Sequence, residues 1–189
     1  TWNLGIVFNN IDISFLNLGF ANIILPNYLS LIITLIWLVG VTNAINWIDG
    51  LDGLASGCSG IISLTFGIIA IQNNNYEYAL ISFALAGASF GFLNFNFKPA
   101  KILMGDGGTY FLGFTLACLS LISSKNSQNI IDFRVALITL FYPLGDMLRV
   151  MIVRFMNNKS LIHPDSNHLH HILLKNKFNE ISTVYLLYG

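Results

Sequence analysis

The sequence predicts an all-α fold: a polytopic bundle of about five transmembrane helices plus the start of a sixth. Composition is the first observation behind that prediction. Of 189 residues, 54% are hydrophobic and only 10% are charged, where soluble domains carry roughly 25% charged residues. The second observation is spacing: apolar runs near the ~20 residues that cross a bilayer recur along the chain, with polar breaks between them. A mean hydropathy of +0.67 agrees. The net charge of zero leaves no basic footprint, which argues against a nucleic-acid partner.

Residues 1–27 precede the first span and are expected outside the cell. Within them Ile11-Asp12-Ile13-Ser14-Phe15 alternates apolar and polar residues, and Asn9-Asn10 and Asn17-Leu18-Gly19 are turn-like, which predicts a short extracytoplasmic β-hairpin. The spans follow as Tyr28 to about Asn46, Leu54–Ile71, Tyr78–Phe95, Tyr110–Ser123 and Ile130–Phe155. The fourth is short and borrows Gly107 and Gly108; residues 156–180 form a loop, and a sixth span begins near Ile181. Gln72-Asn73-Asn74-Asn75, Lys98-Pro99 and the polar stretches 123–129 and 156–159 cannot continue a helix through lipid cheaply. Cys58 and Cys118 lie inside apolar runs without ligand spacing and read as packing residues. The chain starts at Thr1 without a signal-peptide pattern and stops inside an apolar segment, so residues 1–189 are expected to be one membrane-embedded domain truncated at both ends.

Basic residues set the orientation. Lys98, Lys101, Arg149, Arg154, Lys159, Lys175 and Lys177 fall on one side or at its edge, and only Lys125 and Arg134 on the other, which puts the first group in the cytoplasm. Alternating spans then bring Asn43–Gly53, Gly105–Gly108 and His168–His171 to that same side. Because the spans follow from apolar runs alone, this convergence is an independent check.

Acidic and imidazole groups at a bilayer rim are costly unless they meet a metal, a charged substrate or each other. Asn43, Asn46, Asp49 and Asp52 recur every three residues, so neighbours share a helix face while the row drifts around the axis. With Gly50 and Gly53 they suit a phosphate-and-metal or nucleotide site; a helix-capping turn would account for one aspartate but not both plus the asparagines. Asp106, between glycines before the fourth span, reads either as a cap or as a ligand of a hard cation such as Mg²⁺. On a helix His168 and His171 would share a face with His170 roughly opposite, so a turn or a helix end reaching into a cleft fits them better. Their expected work is contact with a diphosphate or sugar, or proton handling; zinc is disfavoured because no cysteine accompanies them. Asp146 and Arg149, three apart near the inner end of the fifth span, read as a structural pair or a substrate contact.

Three stretches carry a resemblance: Asn43 to Ala55, Met104 to Phe114, and Pro164-Asp165-Ser166-Asn167-His168-Leu169-His170-His171. In order and spacing they closely resemble the polyprenyl-phosphate N-acetylhexosamine-1-phosphate transferases. The resemblance implies a multi-pass enzyme of the bacterial cytoplasmic membrane with its active site facing the cytoplasm. Such an enzyme moves a sugar-1-phosphate from a UDP-amino-sugar to undecaprenyl or another polyprenyl phosphate, releases UMP and begins a cell-envelope glycan. It also implies a Mg²⁺ cofactor, with Mn²⁺ able to substitute, and admits a homodimer. Residue by residue, Asp106 resembles the metal-binding aspartate, and Asn46 and Asp49 resemble polar residues lining the catalytic cleft. Asn43, Gly50, Leu51 and Asp52 resemble the substrate-binding part, with Asp52 near the uridine. His168, His170 and His171 resemble the histidine motif that closes over the diphosphate and sugar. The separated His-Leu-His-His form looks more like the branch using UDP-GlcNAc than the branch using UDP-MurNAc-pentapeptide, which carries three consecutive histidines. The family's adjacent aspartate pair has no counterpart in this sequence, and Ser166 stands where many members carry arginine or lysine. The rival readings are an ion-coupled transporter using the rim aspartates, which expects acids near the midplane, and an inactive fragment.

Overall fold

A computed structural model describes residues 7–8, 10–12, 22–125, 130–157 and 168–188. Four long helices come first: α1 (Asn27–Trp47), α2 (Leu54–Gln72), α3 (Tyr76–Asn96) and α4 (Gly105–Ser123). The first three lie within two residues of the expected spans at each end, and each is long and apolar enough to cross a membrane. α4 has a comparable length but is not in that set; its first turn, Gly105-Asp106-Gly107-Gly108, is polar. The chain is a multi-pass membrane protein.

α2 is the axis of the bundle. Two-thirds of its apolar window is buried (67%), against 33% for α1 and 28% for α3. Leu54 and Phe66 of α2 share one core with Ile45 and Ile48, Leu116 of α4, Leu140 and Val184. The outward face of α1 carries exposed Leu31, Ile32, Leu35, Ile36 and Val39, a surface suited to lipid. Where α1 and α4 cross, the two backbones come very close: a Cβ on Gly113 would stand 2.7 Å from the Thr42 Cα. That approach draws the end of α1 onto the start of α4, one turn further on.

At the opposite end of the bundle a small sheet has the order β2 (Asn22–Ile24), β1 (Asn10–Asp12), β3 (Ile131–Asp132). The antiparallel β1–β2 pair, with Ile11 opposite Ile23, is the expected hairpin in shortened form. The turn expected at Asn17-Leu18-Gly19 lies outside the described residues, as do Lys159 and Ser166. β3, parallel to β1 with Ile131 opposite Ile11, was not expected. Phe8, Ile11, Leu121 and Ile131 form a small core beneath it.

One expected span is not a single rod. Ile130–Phe155 divides into β3, α5 (Phe133–Thr139) and α6 (Phe141–Met156), with a 78° bend between the two helices. Pro143 explains the break: it has no N–H to give the Thr139 carbonyl, and its ring would collide with that carbonyl in a continuous helix. The ladder resumes at once, with Leu144 N–H bonding the Leu140 carbonyl at 3.1 Å. Two short helices close the described chain, α7 (Leu169–Lys175) and α8 (Glu180–Tyr188), the latter at the start of the expected sixth span. α8 lies against α2, where Tyr188 OH donates to the Gly53 carbonyl at 2.8 Å.

Candidate active site

The end of α1, the turn after it, the start of α2, the end of α3 and the start of α4 meet at one end of the bundle, and α6 and α7 join them there. Asn46 on the last turn of α1 donates to Asp106 Oδ1 at 3.2 Å and to Thr109 Oγ1 at 2.8 Å. Thr109 in turn donates to the Asp106 carbonyl at 3.1 Å. Asn46 therefore ties the two acidic stretches together, and Asp106 stays exposed. Asp49, half-buried in the following turn, has its carboxyl pushed up to about 6, first by burial, then by the charges of Asp106 and Asp52. Three carboxylates thus share one neighbourhood with an excess of negative charge.

The turn is braced from behind. Gly53 has φ +84°, a left-handed conformation open to glycine, and it caps α2. Asn96, the last residue of α3, accepts from Gly53 N–H at 3.2 Å and from Ser56 Oγ at 2.8 Å, and donates to the Ile102 carbonyl at 3.0 Å. Asp52 accepts from Ala100 N–H at 3.0 Å, so it anchors the loop between α3 and α4. Between turn and loop lies a cleft of about 280 Å³ lined by Asp49, Gly50, Leu51, Asp52, Leu103 and Met104. Asn43 is not in it. Its amide bonds back to the Val39 carbonyl at 2.8 Å, and it borders an apolar groove of about 650 Å³ between α1 and α6, with Trp47, Leu35, Val39, Leu148 and Met151. The drift of the three-residue row around α1 has carried it to another face.

The histidines sit at a helix end, as expected, and their grouping is therefore not set by the helical period. His168 is the N-cap of α7 with extended backbone (φ −62°, ψ 151°), so the helical period does not reach it. Its ring stacks on His170 (centroids 5.6 Å, planes 10° apart), and His170 meets His171 at 4.3 Å. His168 Nδ1 lies 2.8 Å from Asp146 Oδ2, while Asp146 Oδ1 accepts from Leu169 N–H at 2.7 Å. These contacts of Asp146 with the histidine segment are neither of the two roles the sequence suggested for it. Trp47 meets His168 edge-on at 5.8 Å, and the Arg154 guanidinium lies over Trp47 at 5.3 Å.

His170 is the point where the segments touch. Its ring packs directly on Gly50, in space that any side chain there would fill. It is 1% exposed, and neither ring nitrogen has a hydrogen-bond partner. Burial, then His171 and His168, pull it down to about 4, with Asp146 opposing, so the ring is neutral near pH 7. A buried imidazole with both nitrogens unanswered is poised for a polar ligand. Among the described residues no three His, Cys, Asp or Glu side chains have already converged as metal ligands. The oxygen-rich set Asp49, Asp106 and Asn46 nevertheless fits a hard divalent ion that would offset the carboxylate repulsion.

Asn96, Thr109, Trp47 and Asp146 complete this architecture, and of these the sequence singled out only Asp146. Asn96 sits two residues before the Lys98-Pro99 helix break, the one local signal that marks it. The chain is similar to known proteins. The chain is 36% identical, over 82% of its length and 44% of the relative's, to the "probable undecaprenyl-phosphate N-acetylglucosaminyl 1-phosphate transferase" of Bacillus subtilis. It is 34% identical, over 90% of its length and 47% of the relative's, to the "decaprenyl-phosphate N-acetylglucosaminephosphotransferase" of Mycobacterium tuberculosis. A "phospho-N-acetylmuramoyl-pentapeptide-transferase" of Listeria monocytogenes is 39% identical over 57% of the chain and 33% of its own length. The chain therefore spans between a third and a half of these curated relatives. The model of glycosyl transferase family 4 matches residues 3–124, a stretch that holds both acidic motifs, the Asn46–Asp106 link and the braced turn, and the chain belongs to that family.

Proposed function

We propose that the whole protein transfers N-acetylhexosamine-1-phosphate, with GlcNAc the favoured sugar, from a UDP-sugar to a polyprenyl phosphate and releases UMP. The reaction takes place at the cytoplasmic face of the bacterial inner membrane and needs Mg²⁺. One observation carries the reading: Asp49 and Asp52 from the turn after α1 gather with Asp106 from the start of α4 at one end of the bundle, where buried, neutral His170 closes on Gly50. The sugar preference is supported by the N-acetylglucosamine names of the relatives aligned over more than four-fifths of the chain.

In this mechanism a polyprenyl phosphate oxygen attacks the sugar-bearing phosphorus, a new P–O bond forms, and the bond to the uridine-side phosphate breaks. Both reactants are anions, so positioning and electrostatics supply most of the catalysis. Asp106 and Asp49 would hold Mg²⁺, which neutralises phosphate charge when bound. Asn46 holds the Asp106 carboxylate at the end of α1, next to the turn that carries Asp49. The cleft beside Gly50 and Leu51 takes the nucleotide, and His170 offers its ring N–H to a phosphate oxygen. The groove between α1 and α6, almost wholly apolar and ending near Trp47, suits an isoprenoid tail with its phosphate at the rim. The transporter reading has no comparable support, since these carboxylates stand at the end of the bundle and not at its midplane.

The test is exchange of labelled UMP into UDP-GlcNAc by the full-length protein in membranes supplied with polyprenyl phosphate. Exchange that disappears on chelation and returns with Mg²⁺ is expected. Cation flux without exchange would overturn the reading.

A further inference from the structure

We propose that Asp146 is a positioning residue that fixes the tautomer and direction of His168; the inference rests on the transferase reading above. Asp146 is 4% exposed on α6, and its two oxygens are divided between two donors of the histidine segment. A carboxylate only accepts, so His168 Nδ1 carries the proton and Nε2 is the nitrogen left for chemistry. The second oxygen holds Leu169 N–H, the first amide of α7, so one side chain both docks the segment and orients its leading ring. The edge of Trp47 and the face of His170 restrict the same ring from two further directions. Among the described residues, the charged or titratable groups around it are Asp146 from α6, His170 and His171 from α7, and Arg154 beyond the Trp47 ring.

Docking alone does not require this arrangement. A buried carboxylate is costly unless bonded, and apolar contacts would hold a short helix as well. Asparagine separates the two roles: it keeps the shape of Asp146 but has one accepting oxygen. It can satisfy Leu169 N–H or His168 Nδ1–H, not both. If its oxygen keeps Leu169, its N–H₂ faces His168 and selects the opposite tautomer.

The experiment compares Asp146→Asn, His168→Ala and the double variant of the full-length protein, in membranes with UDP-GlcNAc and polyprenyl phosphate. Asp146→Asn is expected to lower kcat about 10–100-fold, the scale seen when the partner orienting a functional histidine is removed, with KM for the UDP-sugar changed by less than about threefold. Because Asp146 acts through His168, the double variant should be no slower than His168→Ala within about twofold. Losses that multiply, or Asp146→Asn within twofold of wild type, would overturn the proposal. Nitrogen-15 histidine NMR of the wild-type protein supplies a readout independent of activity and of the variant's folding. A proton on His168 Nδ1 is expected, and a ring protonated at Nε2 alone overturns the inference. Absence of transfer by the wild-type protein would instead sink the transferase reading, and the NMR result would still decide the tautomer.

Discussion

Gly50→Ala isolates the contact between the turn after α1 and the histidine segment. Gly50 does not have a positive φ, so alanine brings no backbone strain and the whole effect comes from one methyl group. Built on the backbone, that Cβ overlaps His170 Nε2 and stands 2.6 Å from Cε1 and 3.2 Å from Cδ2. Ordinary contact begins at 3.4 Å, so the ring must retreat by about 1 Å. It has little room, because His168 stacks against it at 5.6 Å and His171 crowds it at 4.3 Å. His168 is in turn held by Asp146, so the segment moves as a unit or the overlap persists. Overpacking of this kind costs about 1–3 kcal/mol, and a displacement of about 1 Å at a reacting centre lowers a rate roughly 10²-fold. The assay is the initial rate of lipid-linked sugar formation at saturating UDP-GlcNAc, for protein inserted at wild-type levels. Relief of the overlap by a second change, His170→Ala, is the control: Gly50→Ala should then add less than about threefold to the loss from His170→Ala alone. A Gly50→Ala rate within threefold of wild type would show that the histidines do not work from this docked position.

Three other outcomes follow from the same geometry. Asp106→Asn should lose transfer on the order of 10²–10³-fold while inserting normally; full turnover would remove Asp106 from the proposed metal site. Asn96→Ala leaves Gly53 N–H and the Ile102 carbonyl without their side-chain partner in a site 3% exposed, and should cost roughly 2–4 kcal/mol, seen as a lower Tm in detergent. For His170, the docked ring is pulled down to about 4 from an ordinary 6.5, so the undocked state binds the extra proton between those values. Docking is therefore fully favourable above pH 6.5 and weakens by up to roughly 3 kcal/mol as pH falls toward 4. The protection factor of the amides across 169–175, which divides out the slowing of intrinsic exchange in acid, should fall over that window; a constant protection factor would contradict the assignment.

The lipid-crossing helices were legible because a bilayer leaves backbone no other partner, so apolar length and polar breaks fix Asn27–Trp47, Leu54–Gln72 and Tyr76–Asn96 closely. The bend in the fifth span was not read, because apolarity is indifferent to direction; Pro143 was the available sign. β3 was out of reach, two residues long and paired with a strand some 120 positions earlier. At the candidate site, spacing alone united Asn46, Asp49 and Asp52. It could not say that Asn43 would rotate away, that Asp106 would hydrogen-bond Asn46, or that Asn96 would hold the turn from behind. Those facts belong to the crossing of α1 with α4 and of α2 with α3, which no local pattern encodes. The helical wheel served the histidines well: it cannot bring all three to one face, and His168 in fact stands at the N-cap, before the helix begins.

The elbow at Pro143 has a consequence for what lengths this chain tolerates. Past it, Asp146, Val150 and Arg154 point inward at four-residue intervals, so each reaches its neighbour only in one phase of the helix. A single residue inserted between Pro143 and Asp146 would swing all three by about 100° and aim an acid and a guanidinium at hydrocarbon. The distance from that proline to that aspartate is a fixed dimension, as a key has between shoulder and first tooth.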